Sequence, residues 1–249
     1  MIILSDIHSN IEALEAVLKI VHEDRIIILG DVVGYGADPG ICLERVNGII
    51  KPGDYVMGNH EMMVIDEYLR DDPDVNPLAK EGALFSLKIL SYIQKEFIKS
   101  LPNSISIYDS LFVHGAPPDS YLEYLIPGYT SIQSIYYKFL SFKEQFCFIG
   151  HSHRPCMWIF NKEEGTITLE ENFNKGIIIA LKENERAIVN VGSVGQPRDR
   201  DNRAAFCIFD ENKREVRLIR TEYDFNKTRE KIIDAGLPKK LGDRLIYGY

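Results

Sequence analysis

Short, wholly apolar runs that stop at a polar residue constrain this chain more than any other feature. Met1–Ser5, Arg25–Gly30 and Asp54–Gly58 each read as a strand buried on both faces. Between the first two, Ile11, Leu14, Leu18 and Val21 recur at helical spacing, and Ser9 with Glu12 fits a capping box. Asp38-Pro39 has the form of an N-cap followed by proline at the first helical position, for a helix running to about Asn47. This strand–helix rhythm predicts parallel strands with helices packed on them.

The middle of the chain is expected to be more helical. Asp71–Pro77 is a polar, proline-broken loop, and Leu78–Ser100 reads as one amphipathic helix with Leu84, Leu87, Ser91 and Ile98 near one stripe. Leu101-Pro102 ends it. Ile105–Tyr108 and Leu111–Gly115 form a hairpin about Asp109-Ser110, then a helix spans about Ser131–Ser141 and a strand Gln145–Gly150. Beyond His153 the pattern turns to strands at Cys156–Phe160, Thr166–Glu170, Ile177–Leu181, Ala187–Val191, Ala205–Phe209 and Glu215–Arg220. Asp224 caps a last helix that stops at Gly236, with Pro238 beyond it. Parallel α/β units followed by a strand-rich half predict two sheets packed together. With no repeat, low-complexity tract or linker, residues 1–249 are expected to form a single domain.

Composition narrows the function. Apolar residues make up 45% and charged residues 27%, ordinary for a globular protein. No run approaches the roughly 18 apolar residues of a membrane span, and MIILSDIHSN lacks the features of a signal peptide. Cys42, Cys147, Cys156 and Cys207 form no CxxC pair, so buried free thiols and a cytoplasmic location are expected. The formal net charge of −8 argues against a dedicated nucleic-acid surface. It leaves room for a small phosphorylated substrate, because bound cations reverse the local field.

The polar tips of the apolar runs carry the chemistry. Five of the six histidines lie at or just after a predicted strand, in Asp6-Ile7-His8, Gly58-Asn59-His60-Glu61, His114-Gly115 and Gly150-His151-Ser152-His153; Gly30-Asp31 follows a strand in the same way. Ligands of open α/β sheets bind outside the carboxyl ends of the strands, so these tips are expected to converge. Imidazole nitrogen with carboxylate and amide oxygen suits divalent first-row cations. On extended chain, the spacing in Asp6-x-His8 and His151-x-His153 would put both side chains on one side. The flanking glycines allow sharp turns.

In order, D-x-H, GD, GNH-E, H and GHxH, the segments resemble the calcineurin-like metallophosphoesterase superfamily. The loop Gly34–Pro39, the segment Asn190–Arg198 and the ending Tyr223–Pro238 resemble one bacterial and archaeal branch of small phosphodiesterases. The resemblance implies an α/β fold, a four-layer αββα sandwich of two mixed β-sheets flanked by helices. It implies two divalent metal ions per chain, drawn from manganese, iron, nickel, cobalt and zinc. Asp6, His8, Asp31 and His153 would hold one ion; Asp31, Asn59, His114 and His151 would hold the other. His60 would be catalytic, either protonating the leaving oxygen or hydrogen-bonding the developing charge. A hydroxide activated by the two metals would attack phosphorus in line.

Other residues carry two readings. Glu61 is either an acceptor that orients a ligand or a solvated first-turn carboxylate. Arg198 is a candidate substrate-binding residue that would pair with a second phosphate or an acidic group, whereas Arg200 and Arg203 read as a charged loop balanced by Asp199 and Asp201. His22 reads as a helix C-cap, and Tyr35 is a candidate to flank the site mouth. Tyr121, Tyr124 and Tyr129 belong to a segment that is either a substrate wall or simple packing. The expected function is hydrolysis of a small phosphodiester or nucleotide. A phosphomonoesterase or protein phosphatase, a nuclease and a silent binding scaffold are the alternatives, and oligomeric state is open.

Overall fold

The computed structural model describes residues 1–21 and 25–249. The chain runs β1 (Ile2–Leu4), α1 (Ile11–Leu18), β2 (Ile26–Ile28), α2 (Pro39–Asn47), α3 (Asn59–Ile65), α4 (Glu67–Asp71), α5 (Pro77–Ile89) and α6 (Tyr92–Lys99). It continues through β3 (Ser104–Ile107), β4 (Ser110–Val113), α7 (Ile132–Leu140), β5 (Phe146–Ile149), β6 (Cys156–Asn161) and β7 (Thr166–Leu169). The last elements are β8 (Ile179–Ala180), β9 (Glu185–Asn190), β10 (Ala204–Asp210), β11 (Glu215–Thr221), α8 (Phe225–Asp234) and α9 (Lys239–Tyr247).

One sheet has the order β2-β1-β10-β11-β8 and the other β3-β4-β5-β9-β6-β7. Both are mixed. β1 and β2 pair in parallel, as do β4 with β5 and β5 with β9, while β10 pairs antiparallel with both β1 and β11. The period of two along each strand builds the layers. Ile2, Leu4, Ile26 and Ile28 face Ala13, Leu14, Val17 and Leu43 of α1 and α2. Their neighbours Ile3, Ile27 and Leu29 face inward against Phe112, Phe146, Phe148 and Val189 of the other sheet. Beyond that sheet, Leu111, Cys147, Ile149 and Ile188 pack on Ile135 and Phe139 of α7. The result is the expected helix–sheet–sheet–helix stack. All four cysteines are buried and free.

The structure corrects several local expectations. The cap of α1 is Asn10, whose side chain accepts from the Ala13 N–H; Ser9 is left-handed (φ 53°) and cannot play that part. Asp38 occupies the N-cap of α2 without capping it, and its carboxylate pairs with Lys231 at 2.7 Å instead. Around Tyr55 the predicted third strand makes one parallel bridge to Ile28. The single helix expected over 78–100 is two, α5 and α6, because Ser91 caps α6 in a box with Gln94. A stripe-only reading had placed that serine within the helix. Ser91→Ala is expected to cost about 1 kcal/mol and to lower the melting temperature by about 2–4 °C in a calorimetric scan. Helix α9 lies beyond the predicted stop at Gly236, and α3 and α4 also went unpredicted. His22 lies outside the described residues.

Candidate metal centre

The carboxyl ends of β1 and β2 in one sheet and of β4 and β5 in the other meet at one end of the sandwich. Asp6, His8, Asp31, His114, His151 and His153 gather there, each buried to 97% or more. The backbone bends sharply to bring them together. Asp6 (φ 53°), His8 (49°), Asp31 (54°), His151 (62°) and His153 (57°) are all left-handed, as are Ser9 and Tyr35. The expectation of extended chain at Asp6-x-His8 and His151-x-His153 is therefore wrong; turns, not strand pleat, aim these side chains. A non-glycine residue there costs about 1–2 kcal/mol, so the chain accepts strain where these donors converge.

The inward atoms form two groups. In the first, His153 Nε2 is 3.1 Å from Asp6 Oδ1 and 3.1 Å from His8 Nε2, and His8 Nε2 is 3.7 Å from Asp31 Oδ2. In the second, His114 Nε2 is 3.2 Å from Asp31 Oδ2, 3.1 Å from Asn59 Oδ1 and 3.1 Å from His151 Nδ1. Asp31 Oδ2 is common to both.

The outer atoms decide what the inner ones are. His8 Nδ1 donates to the Val33 carbonyl (3.1 Å), His114 Nδ1 to that of Leu29 (2.6 Å), His153 Nδ1 to that of Gln196 (2.5 Å) and His151 Nε2 to that of Leu122 (3.1 Å). A carbonyl only accepts, so in each neutral ring the proton sits on the outer nitrogen and the lone pair points inward. Asp6 repeats the pattern. Its Oδ2 accepts from the Ser5 hydroxyl and the His151 N–H, while its Oδ1 is buried without a hydrogen bond. Lone pairs facing one another, as between His8 and His153 at 3.1 Å and His8 and Asp31 at 3.7 Å, repel. Cations with ligands at about 2.1 Å put donor atoms roughly 3.0–3.4 Å apart, so the residues fit divalent metal ions.

Electrostatics agree. Burial works to raise the Asp31 and Asp6 carboxyls, yet the facing imidazoles outweigh it and hold both well below the usual range. Burial pulls His151 and His153 down to about 3, which keeps them neutral, as ligands must be. Burial also opposes charge on His114, but Asp31 opposite lifts it to about 9. The field that draws a proton there also draws a cation, which displaces that proton on binding.

His60 stands beside these groups and differs from them. It clusters with His8 and Asp31, but its Nδ1 is buried with no hydrogen bond among the described residues. No carbonyl among the described residues orients it as a ligand. Burial, its largest influence, holds it well below the ordinary imidazole range. Its ring is set by Gly34, whose φ of +86° suits glycine and whose absent Cβ would overlap His60. Tyr35 packs against both His60 (4.4 Å between ring centres) and His8 (4.7 Å).

Glu61 resolves to the first of its two readings and does more. It is fully buried. It accepts from the backbone N–H groups of Asp31, Val32, Val33 and Gly58 and from the Tyr55 hydroxyl. Burial and the Asp31 charge push it up to about 7 against those donors. The tyrosine-rich segment contributes a wall. Tyr124 stacks on His151 at 3.6 Å, next to the Leu122 carbonyl that fixes that ring. Arg203 pairs with Asp201 as expected. Arg244, which the sequence reading did not single out, joins Arg198 at the cavity beside the site. Its signal was present in Leu241 and Leu245, one helical turn apart before Gly248.

Two donor clusters that share one carboxylate at strand ends form the kind of site that holds two divalent cations in metal-dependent hydrolases. Residues 1–214 match the profile of the calcineurin-like phosphoesterase superfamily domain, and the chain belongs to that superfamily of phosphate-ester hydrolases. It is 37% identical over 254 residues to an uncharacterized protein of Methanocaldococcus jannaschii, covering 99% of this chain and 97% of that one. It is 34% identical to a metallophosphoesterase from Sphaerobacter thermophilus of known crystal structure, with a TM-score of 0.87 over 100% of this chain and 98% of that one. A hypothetical protein from Pyrococcus horikoshii shares the fold, with a TM-score of 0.79 at 18% identity over 100% and 98% of the two chains.

Proposed function

We propose that this chain is a phosphodiesterase acting on a small phosphodiester or nucleotide, with residues 1–249 working as one domain. Asp6, His8, Asp31 and His153 hold one divalent cation; Asp31, Asn59, His114 and His151 hold a second. The observation that carries this reading is the convergence of imidazole nitrogens on a shared carboxylate and a bare Asp6 oxygen, a donor set that suits divalent cations. When bound, the cations supply a nucleophilic hydroxide near neutral pH and neutralise the phosphoryl oxygens. The mixed nitrogen and oxygen donors suit manganese, iron, cobalt, nickel or zinc, and manganese is our first choice to test.

The chain's own residues do the rest. Backbone carbonyls of Leu29, Val33, Leu122 and Gln196 lock the imidazoles in the ligand tautomer. Asn59 brings an oxygen without adding charge. His60, held neutral by burial, donates a hydrogen bond from its imidazole to the leaving oxygen. A cavity of about 360 Å³, lined by His60, Asn59, Tyr35 and Tyr124, matches a small ester. Buried free thiols favour a reducing, cytoplasmic setting. No helix among the described residues is long and apolar enough to cross a membrane.

The test is hydrolysis of bis(p-nitrophenyl) phosphate across a metal series, with elemental analysis of the same samples. Turnover that appears with manganese and disappears with chelator supports the reading. Fully metallated protein inert on every phosphate ester overturns it. His60→Ala is expected to keep its metal content and to lose about a hundredfold to ten-thousandfold in turnover. Undiminished turnover in that variant removes His60 from catalysis.

A further inference from the structure

The cavity beside the metal centre carries two arginines that pair with no Asp or Glu side chain among the described residues. Arg198 follows β9 in the chain, and its backbone N–H bonds the His153 carbonyl at 3.2 Å. Its Nη2 donates to Gln196 Oε1 at 2.7 Å, while its Nε is buried without a hydrogen bond. Arg244 arrives from α9, with Nε donating at 2.7 Å to the main-chain oxygen of Tyr249, the last residue of the sequence. The nearby carboxylates are occupied elsewhere: Asp199 pairs with Arg220, and Asp201 with Arg203.

The two guanidinium carbons stand 5.6 and 5.8 Å from the centre of the Tyr35 ring. That ring touches His60 and His8, so each arginine is one aromatic ring removed from the candidate metal centre. Burial and the adjacent Arg198 charge pull Arg244 down to about 10, a sign that holding these like charges together is costly. In a chain of net charge −8, two neighbouring cations that line one cavity without an Asp or Glu partner suit an anion from outside. Asp74 also lines the cavity but is exposed, where solvent screens its charge.

We propose that Arg198 and Arg244 form a second anion subsite, which binds a further phosphate of the same small molecule whose ester is cleaved at the metal centre. This rests on the phosphoesterase reading above. Two planar guanidinium forks match the several oxygens of a dianionic phosphate. The substrate class is therefore a small phosphodiester that carries an additional phosphate group.

Two measurements on manganese-loaded protein test it. The first compares kcat/KM for the p-nitrophenyl ester of thymidine monophosphate with and without a phosphate on its free sugar hydroxyl. The second compares the affinity for methylenediphosphonate with that for methylphosphonate by calorimetry. Wild type is expected to favour the doubly charged member of each pair. Arg198→Gln and Arg244→Gln are each expected to shrink that preference by about tenfold or more. Wild-type preference retained in both variants overturns the subsite, as does a wild type without preference in either assay. Loss of all hydrolysis alongside a preference in calorimetry that both variants abolish sinks the phosphoesterase reading and leaves the anion subsite standing.

Discussion

Asp31→Asn is expected to leave the protein folded while lowering both metal content and turnover, the latter by about a hundredfold or more. The reason is positional. Asp31 Oδ2 faces His8 in one donor group and His114 in the other, so a single carboxylate serves both. The amide preserves the acceptor for the His60 N–H, which bonds Oδ1 at 2.8 Å. What it removes is the negative charge between the sites. Asp6→Asn is the informative comparison, because Asp6 belongs to one group only. Elemental analysis should find a larger loss for Asp31→Asn than for Asp6→Asn. Equal losses, or two metal ions per chain retained in Asp31→Asn, would overturn the bridging role.

The second large effect falls on stability and belongs to Glu61. Its Oε2 accepts from Asp31 N (2.7 Å) and Gly58 N (3.0 Å). Its Oε1 accepts from Val32 N (2.7 Å), Val33 N (3.2 Å) and the Tyr55 hydroxyl (3.0 Å). Glu61→Ala orphans buried donors in the very turn that aims Asp31. The cost should be about 3–5 kcal/mol, or roughly 6–20 °C in melting temperature. Glu61→Gln is nearly isosteric, yet it should also destabilise strongly, because one amide nitrogen must then face backbone N–H groups whichever way it flips. A glutamine variant that melts with wild type would show that shape, not acceptor capacity, matters at this position.

The contrast between these residues explains how far sequence alone reaches. Ile3, Ile27 and Phe148 alternate with Leu4, Ile28 and Cys147. That alternation is local, so strands and their ends could be read, and with the ends came the donors. The resemblance then supplied the grouping of those donors and the four-layer stack. Short helices were harder. The helices α3 and α4, of seven and five residues, present only a turn or two of apolar spacing, less than a periodicity window needs. Ser91 looked like part of a stripe because its capping bond to Gln94 competes with the helical pattern. Glu61 kept two readings, and Arg244 went unnoticed, for another reason. Their roles depend on partners distant in the chain, Asp31 to Val33 for one and Tyr35 with Arg198 for the other. The left-handed turns at Asp6 and His8 were likewise beyond reach: aspartate and histidine adopt positive φ more often than most residues, but still too rarely for residue type alone to place such a turn.

Those turns have a consequence for the energy landscape. Most of this chain is minimally frustrated: apolar alternation, caps and layers all favour the same arrangement. The segments 6–9 and 151–153 are the exception, since strained backbone and mutually repelling lone pairs occupy one place. Relief of frustration so concentrated is expected to tighten these segments more than the strands beneath them. Cations that relieve it therefore act as local clamps. Their signature is slowed amide exchange at Asp6–Ser9 and His151–His153, with little change along β5 or β9.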